Sequence, residues 1–355
     1  MIHLYGWSDA LRQSFDAYAA KGWSPARVIV QQRGLYRLAS EAGELNAEIS
    51  GRFAHEAADG NYPVTGDWVA ASLRPQEGAA TIHALLSRTS AFTRKAAGTA
   101  GHAQVVAANA DVALITASLN ADLNLRRLER YLATAWESGA TPLIVLTKAD
   151  LSDRVDEQIA AVEAIAFGVG VHAVSAVTGE GLAAVGAAIG SGRTAVLLGS
   201  SGVGKSTLVN ALAGETLMTT QAIREHDARG RHTTTHRELI RLPDGALLLD
   251  TPGMRELGLW DAEEGVSAVY GDVEALAGRC RFADCRHERE PGCAVQAALS
   301  EGALDAERWR GYQKLQRELA HEGRKDDYFA RQKQKKIWIG RHKAYRAMVK
   351  ARDRE

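Results

Sequence analysis

The chain has 355 residues, 46% of them hydrophobic, and its 43 Lys and Arg balance 43 Asp and Glu. This length and composition predict two or three domains with a large core, and no internal repeat or long low-complexity linker is visible. The chain has only three cysteines, which is typical of a reducing compartment. No basic N-terminal region leads into an apolar stretch, and no apolar run approaches the roughly 18 residues of a membrane span. We therefore expect a soluble, cytoplasmic protein without a membrane partner.

The first 95 residues predict a helix followed by a small barrel. Leu11, Phe15 and Tyr18 recur at helical spacing, so we expect a helical extension over residues 1–24. Residues 25–95 contain five short apolar stretches broken by turns, which predict a closed β-barrel. An oligonucleotide-binding (OB) barrel that contacts RNA is the favoured interpretation, and an SH3-like barrel that only braces the next domain is the alternative.

Apolar strands alternate with helical segments over residues 104–260, which predicts a doubly wound α/β domain beginning with a strand at 112–116. Asp150 follows an apolar strand and is positioned to accept hydrogen bonds from the two N–H groups on a guanine edge. Lys148 would cover the base plane with its alkyl stem. Thr147 stands where this motif usually has Asn, and Ser175 with Ala176 is predicted to form an accessory base-binding loop.

A phosphate-binding loop is the most specific motif, because its G-x-x-x-x-G-K-S spacing makes backbone N–H groups converge on phosphates. It lies between the apolar strand 194–198 and a helical segment, as a nucleotide-binding turn requires. Lys205 is predicted to reach the β- and γ-phosphates, and Ser206 to bind Mg²⁺. The predicted phosphate-binding residues are Gly199, Ser200, Ser201, Gly202, Val203, Gly204, Lys205, Ser206 and Thr207.

Two downstream segments predict the rest of a GTP and Mg²⁺ site. Asp250 ends an apolar strand in the sequence Asp-Thr-Pro-Gly, so its carboxylate is expected beside Mg²⁺ and the N–H of Gly253 beside the γ-phosphate. Thr234, with Thr233 as the near alternative, is predicted to complete the Mg²⁺ shell. Met254 cannot orient a water molecule, so we expect slow intrinsic hydrolysis. His232 is either the residue that positions this water or a solvated loop histidine.

These motifs occur in a rotated order. In an ordinary GTPase the phosphate loop opens the domain and the base-recognition motif closes it. Here the base-recognition motif at 147–150 comes first, the phosphate loop follows, and Asp250 comes last. The chain is therefore predicted to contain a circularly permuted GTPase domain.

All three cysteines cluster with a histidine as C-x4-C-x-H-x5-C, formed by Cys280, Cys285, His287 and Cys293. Three thiolates and one imidazole suit a tetrahedral structural Zn²⁺ site with no open position. Core cysteines, or a disulfide and a spare thiol, are the alternatives. We predict an α-rich zinc-binding domain over residues 261–323.

The C-terminal tail is basic although the whole chain is neutral. Residues 324–355 contain 12 Lys and Arg against 4 Asp and Glu, interleaved with aromatic residues. Such a tail is predicted either to lie on RNA phosphates or to form a solvated basic helix without a specific partner.

These segments together resemble the ribosome small-subunit-dependent GTPase A family. The matching segments cover about residues 26 to 325 and comprise 107–111, 147–150, the phosphate loop, 230–235, 250–256 and 280–287. The resemblance implies GTP hydrolysis stimulated by the small ribosomal subunit, late in its maturation, with the OB and zinc domains contacting rRNA. It also implies that His232 is a catalytic group, and from their own motifs Lys205 and Thr234 are predicted to act in catalysis as well. We expect a monomer.

Two classes of function remain open at this point. One is a GTPase that is released from the small subunit when it hydrolyses GTP, with Zn²⁺ and Mg²⁺ as its metals. The other is an RNA-binding assembly scaffold in which the bound nucleotide is structural. A kinase-like protein that uses ATP is opposed by Asp150, which has no matching donor pair on adenine.

Overall fold

A computed structural model describes residues 1–32, 34–57, 61–95, 103–120, 123–217, 237–250, 262–321 and 324. The predictions for His232, Thr234 and Gly253, and nearly all of the basic tail, fall outside these residues. None of the described helices has the length and hydropathy needed to cross a membrane.

The N-terminal part consists of a helix and a five-stranded barrel. Helix α1 spans Asp9–Ala19, and Ser8 caps it by accepting a hydrogen bond from the Leu11 N–H. The barrel strands are β1 (Ser24–Gln32), β2 (Leu35–Ser40), β3 (Gly43–Ile49), β4 (Trp68–Arg74) and β5 (Ala79–Leu85), with the short helix α2 (Gly51–Glu56) between β3 and β4.

The strand pairing closes the barrel in the order β1-β2-β3-β5-β4. β1 pairs antiparallel with both β2 and β4, and β3 pairs parallel with β5. Side chains alternate between the interior and the outer surface, so Val69 and Ala71 lie in the barrel core while Trp68 and Ala70 face outward. This arrangement fits the OB fold and confirms that prediction over the SH3-like alternative.

Aromatic side chains attach α1 to the outside of the barrel. Trp7 contacts both Phe15 and the β4 residue Trp68, with ring centroids 6.0 and 4.9 Å apart. Trp23 stacks on His83 of β5 at 4.6 Å. The apolar face predicted for the helix of residues 1–24 therefore packs against the barrel, and burial of aromatic rings stabilises that contact.

A parallel sheet follows the two-stranded ribbon β6 (Ala91–Lys95) and β7 (Ala103–Ala108). Five parallel strands lie in the order β10-β9-β8-β11-β13, and β12 pairs antiparallel with β13. The elements are β8 (Val112–Ser118), α3 (Leu125–Glu137), β9 (Thr141–Thr147), α4 (Val155–Glu163), β10 (Gly170–Ala173), α5 (Leu182–Ile189), β11 (Thr194–Leu198), α6 (Lys205–Ala213), β12 (Arg237–Arg241) and β13 (Leu247–Asp250).

The barrel and the parallel sheet share one continuous set of hydrogen-bonded strands. β12 pairs antiparallel with β1, with Val30 opposite Glu238 and Gln31 opposite Arg237. The Arg237 guanidinium donates to the Gln31 side-chain oxygen at 3.2 Å, and the Thr65 hydroxyl donates to the Arg237 carbonyl at 3.2 Å. The two regions therefore form one compact unit.

A buried arginine joins the same two regions. Arg27 of β1 is 2% exposed. Burial lowers its pKa to about 10, while Asp111 and Asp67 act in the opposite direction, so the guanidinium stays charged at neutral pH. It donates to the carbonyls of Tyr5, Gly66 (3.2 Å) and Asn109 (3.0 Å) and to the Thr194 hydroxyl (2.8 Å).

A second compact unit is mainly helical. It contains the end of α7 (Glu263–Ala277), α8 (Ala294–Ser300) and a helix at 306–321, which we name α9. The Arg308 guanidinium donates to both carboxylate oxygens of Asp272, at 2.8 and 2.7 Å, and thereby joins α9 to α7. Trp309 stacks on Tyr312 at 5.7 Å on α9.

Replacement of the buried guanidinium tests its structural role. We expect Arg27→Lys to lower the free energy of unfolding by about 2–4 kcal/mol, because one ammonium cannot reach four separated acceptors. Urea denaturation followed by tryptophan fluorescence measures the change. Arg52→Lys is the matched control, since Arg52 is 88% exposed and pairs with Glu56 alone among the described residues, and it should leave the unfolding transition nearly unchanged. Equal stability of the two variants would contradict the role of Arg27.

Candidate nucleotide-binding site and metal cluster

The phosphate loop connects β11 to α6 at the carboxyl edge of the parallel sheet. Helix α6 begins at Lys205, directly after Gly204, whose φ is 94°. The Lys205 ammonium donates to the Gly199 carbonyl at 2.6 Å and to the Ser200 carbonyl. The predicted strand, loop and helix therefore follow one another as a phosphate-binding turn requires.

Gly199 is required by a close approach of two strands. Its φ is 147°, and a Cβ there would lie 2.3 Å from the Thr116 hydroxyl oxygen and 2.6 Å from the Thr116 carbonyl oxygen. The same hydroxyl donates to the Leu198 carbonyl at 2.7 Å, which fixes the end of β11 against β8. Sequence reasoning missed Thr116, although a polar residue within an apolar strand indicates a buried hydrogen bond, and Thr116 is indeed buried.

The base-recognition motif lies beside the phosphate loop. Thr147 is 3% exposed, and its hydroxyl donates to the carbonyls of Val203 and Ala117, the latter at 3.2 Å. Lys148 has a φ of 61°, and its ammonium donates to the Gly202 carbonyl at 3.0 Å. Asp150 is exposed at the start of the following turn.

The accessory loop is held against this motif by backbone hydrogen bonds. The Ala149 N–H donates to the Val174 carbonyl at 3.1 Å. Ser175 is fully buried, and its hydroxyl accepts from the N–H groups of Val177 and Thr178 at 3.3 and 3.2 Å. The sequence-predicted segments 147–150, 175–176 and 199–207 therefore meet at one edge of the sheet.

Arg127, in the first turn of α3, also reaches the phosphate loop. Its guanidinium donates to the Ser200 hydroxyl at 2.9 Å. Sequence reasoning missed this contact, because a single arginine near a helix start carries no motif. Asp250 ends β13, the strand next to β11, and its backbone pairs with that of Glu238 in β12. His232, Thr234 and Gly253 are not among the described residues.

The cysteine and histidine ligands converge in the second unit. The ligand atoms of Cys280, Cys285, His287 and Cys293 all lie within 4.8 Å of one another. The Cys280 and Cys293 sulfurs are 3.8 Å apart, and they lie 3.4 and 3.6 Å from Nδ1 of His287. A tetrahedral Zn²⁺ with ordinary bond lengths requires about 3.8 Å between sulfurs and about 3.6 Å from sulfur to nitrogen. The donor set fits such an ion, and all three cysteines are free thiols instead of a disulfide.

Neighbouring groups orient His287 and the segment 280–293 that carries the four ligands, which we call the metal loop. The His287 carbonyl accepts from the Gln296 side chain at 2.6 Å, and its ring meets Trp309 edge-on at 5.5 Å. The Glu290 carboxylate accepts from the N–H groups of Arg286, Glu288 and Arg289 at 3.0, 2.9 and 3.0 Å. Backbone N–H groups, including its own, lower the pKa of Glu290 to about 2.

The thiol groups differ in their preference for the charged form. Although desolvation opposes it, the backbone N–H groups of Val295 and Ala294 hold the pKa of Cys280 below the ordinary thiol value. Desolvation and the neighbouring thiols raise the pKa of Cys285 to about 11. A divalent cation at this point favours the thiolate form of every ligand, so metal binding and deprotonation are coupled.

Comparison with known proteins identifies the family. A family model described as RsgA GTPase matches residues 85–260. A protein of Opitutus terrae named Small ribosomal subunit biogenesis GTPase RsgA is 44% identical over an alignment of 352 residues, with 96% of each chain covered. The chain belongs to the RsgA GTPase family. A protein of the same name from Streptomyces coelicolor is 46% identical over 98% of this chain and 94% of its own. The prediction that the chain is a GTP-hydrolysing enzyme is thereby confirmed.

Two solved structures share the fold. The crystal structure of YjeQ from Thermotoga maritima superposes with a TM-score of 0.63 at 24% identity, covering 84% of this chain and 99% of that one. The structure of YloQ, described as a circularly permuted GTPase, superposes with a TM-score of 0.60 at 22% identity, covering 84% and 96%. The fold of this chain therefore has the circularly permuted order that its sequence motifs predict.

The fit of Gly199 against Thr116 predicts the result of adding one methyl group. We expect Gly199→Ala to weaken GTP binding by at least about 100-fold, because the added Cβ displaces the phosphate loop from β8. Calorimetric titration with GTP and Mg²⁺ measures the affinity. Gly214→Ala is the control, because this residue also has a positive φ but a Cβ added to it would have no atom of the described residues within 4 Å. Comparable GTP affinity in the two variants would contradict the expectation.

Proposed function

We propose that this GTPase binds the small ribosomal subunit, hydrolyses GTP in response to it late in its maturation, and is released by hydrolysis. The observation that carries the proposal is the meeting of the base motif, the accessory loop and the phosphate loop in a permuted GTPase fold. Relatives at 44% and 46% identity are named for small ribosomal subunit biogenesis, which supports the choice of partner. A cytoplasmic location follows from such a role.

Each predicted residue has a proposed part in this reaction. Residues 199–207 bind the phosphates through backbone N–H groups, and Lys205 neutralises charge on the β- and γ-phosphates. Asp150 reads the guanine edge, and the loop at Ser175 and Ala176 closes over the base. Ser206, Thr234 and Asp250 hold Mg²⁺, which supplies charge stabilisation at the transferred phosphoryl group.

His232 is proposed to orient the attacking water. Met254 follows Gly253, and a thioether neither donates nor accepts strongly enough for that task. An imidazole can accept a proton from water near neutral pH. We propose that the small subunit brings His232 into position, which makes intrinsic hydrolysis slow and stimulated hydrolysis fast.

The metal loop is the proposed source of positive charge for rRNA binding. Arg279, Arg281, Arg286 and Arg289 are all exposed on or beside it, interleaved with the exposed carboxylates of Asp284 and Glu288. Phe282 is 41% exposed and lies 5.5 Å from the Arg281 guanidinium, an arrangement suited to stacking on an unpaired base. The exposed polar residues of β2 and β3 also have mixed charge, because Arg37 is accompanied by acidic and neutral side chains: Glu44, Asn46 and Glu48.

The hydrolysis assay tests the proposed function. GTP turnover should rise at least about tenfold with the small subunit and stay unchanged with the large subunit, with ATP used poorly. Lys205→Ala should lose the stimulated rate by at least about 100-fold, because the phosphate charge is no longer neutralised. Lys21→Ala, which removes an exposed lysine outside the proposed site, is the control. Equal slow turnover in every mixture would reject subunit-dependent hydrolysis and favour an assembly scaffold.

Zinc is the ion proposed for the Cys280 cluster. We expect about one zinc per chain by elemental analysis of the purified protein. Cys285→Ser should remove most of it and lower the thermal stability of the second unit, because a hydroxyl is a poor zinc ligand. Ser300→Ala is the control, since within the described part of the chain that hydroxyl bonds only to the Ala297 carbonyl of its own helix. Protein purified with zinc supplied that nevertheless carries none would reject the proposal.

A further inference from the structure

Arg127 connects helix α3 to the second residue of the phosphate loop. Its backbone is fixed at the start of the helix, because its N–H donates to the side chain of the capping residue Asn124 at 3.0 Å. Its guanidinium donates to the Ser200 hydroxyl at 2.9 Å. β8, which leads into α3, pairs in parallel with β11, which leads into the loop. Both connections therefore leave the sheet at its carboxyl edge, and the contact forms although 73 residues separate its partners.

Ser200 is contacted by a second cation. The Lys205 ammonium donates to the Ser200 carbonyl and, at 2.6 Å, to the Gly199 carbonyl. The lysine of such a loop reaches the β- and γ-phosphates of a bound nucleotide. Ser200 therefore lies at the end of the loop where the γ-phosphate is expected, with an ammonium on its carbonyl and a guanidinium on its hydroxyl.

The contact with Arg127 leaves the Ser200 hydroxyl able to donate. A hydroxyl has one proton and two lone pairs, and accepting from the guanidinium uses a lone pair. A cationic donor polarises the O–H bond and strengthens the hydrogen bond that the remaining proton can make. Ser200 is partly exposed, so an anion bound at this end of the loop can approach it.

A cation at this end of the loop favours a triphosphate over a diphosphate. GTP and GDP share the α- and β-phosphates, and GTP alone carries the negative charge of the γ-phosphate. Because Coulombic attraction falls with distance, a guanidinium beside Ser200 gains most from the phosphate nearest to it. A contact that only braced the loop would instead affect both nucleotides alike, since the loop N–H groups bind the phosphates that they share.

We propose that Arg127 is a positioning residue that acts through Ser200 on the γ-phosphate end of the loop and raises the affinity for GTP relative to GDP. This inference rests on the nucleotide site proposed above. Arg127 lies in α3, outside the sequence motifs that predict that site. The discrimination between triphosphate and diphosphate is thus set partly by a residue that those motifs do not contain.

Calorimetric titrations of the full chain with Mg²⁺ and either GDP or the slowly hydrolysed analogue GTPγS test the proposal. We expect Arg127→Gln to weaken GTPγS binding by about 10-fold and GDP binding by less than about twofold, because the lost charge acts on the γ-phosphate. Ser200→Ala should change the ratio in the same direction, whereas Ser200→Thr keeps the hydroxyl and should match the wild type. The double variant should lose less than the product of the two single effects, since the residues act through each other.

Arg154→Gln is the matched control. Arg154 directly precedes the next helix, α4, is 75% exposed, and pairs with Glu157 of that helix. The same substitution there should leave both affinities unchanged. Thermal unfolding without nucleotide checks that the variants fold, and Ser200→Ala tests the same link without altering α3 if Arg127→Gln does not fold.

Three results would overturn the inference. Equal losses of GTPγS and GDP affinity in Arg127→Gln would make the contact a brace for the loop as a whole, and unchanged affinities would make it inert. A double variant whose losses multiply would show that Arg127 does not act through Ser200. A wild-type chain that binds neither nucleotide would instead reject the proposed site itself.

Discussion

The charged guanidinium of Arg27 is the interaction on which the arrangement of the nucleotide-binding unit depends. A buried cation is tolerated only when it is fully hydrogen-bonded, and here the acceptors come from four other parts of the chain: Tyr5, Gly66, Asn109 and Thr194. These parts belong to the N-terminal turn, the approach to β4, the approach to β8 and the start of β11. Satisfying one side chain therefore fixes the barrel relative to the strand that leads into the phosphate loop.

The pairing of β1 with β12 is a second connection between the barrel and the parallel sheet. β12 begins at Arg237, directly after the segment that contains His232 and Thr234. On one side it pairs with β13, which ends at Asp250, and on the other side with the barrel. A strand held on both sides cannot shift without breaking backbone hydrogen bonds. The strand that follows His232 and Thr234 in the sequence is thus paired with the barrel on one side and with β13 on the other.

Local sequence signals were sufficient for the elements and for the segments that meet at the carboxyl edge of the parallel sheet. The phosphate loop, the strand before Asp150 and the cysteine cluster are encoded within short stretches, because each needs a fixed spacing of particular residue types. The contacts of Arg27 and Arg127 were not predictable, since they join residues distant in sequence without a periodic pattern. Five short strands did not distinguish an OB from an SH3-like barrel either. That choice depends on the parallel pairing of β3 with β5, which is a long-range feature.

The role of Thr147 illustrates how a substitution within a motif changes meaning once its neighbours are known. From the sequence, Thr147 is a departure from the asparagine that this motif usually has. In the structure, its hydroxyl pairs with the Val203 carbonyl, a backbone group that is expensive to leave unpaired in a buried position. A side chain selected for that bond needs one donor and a small volume, and threonine supplies both. The motif is therefore joined to the backbone of the phosphate loop by hydrogen bonds from both Thr147 and Lys148.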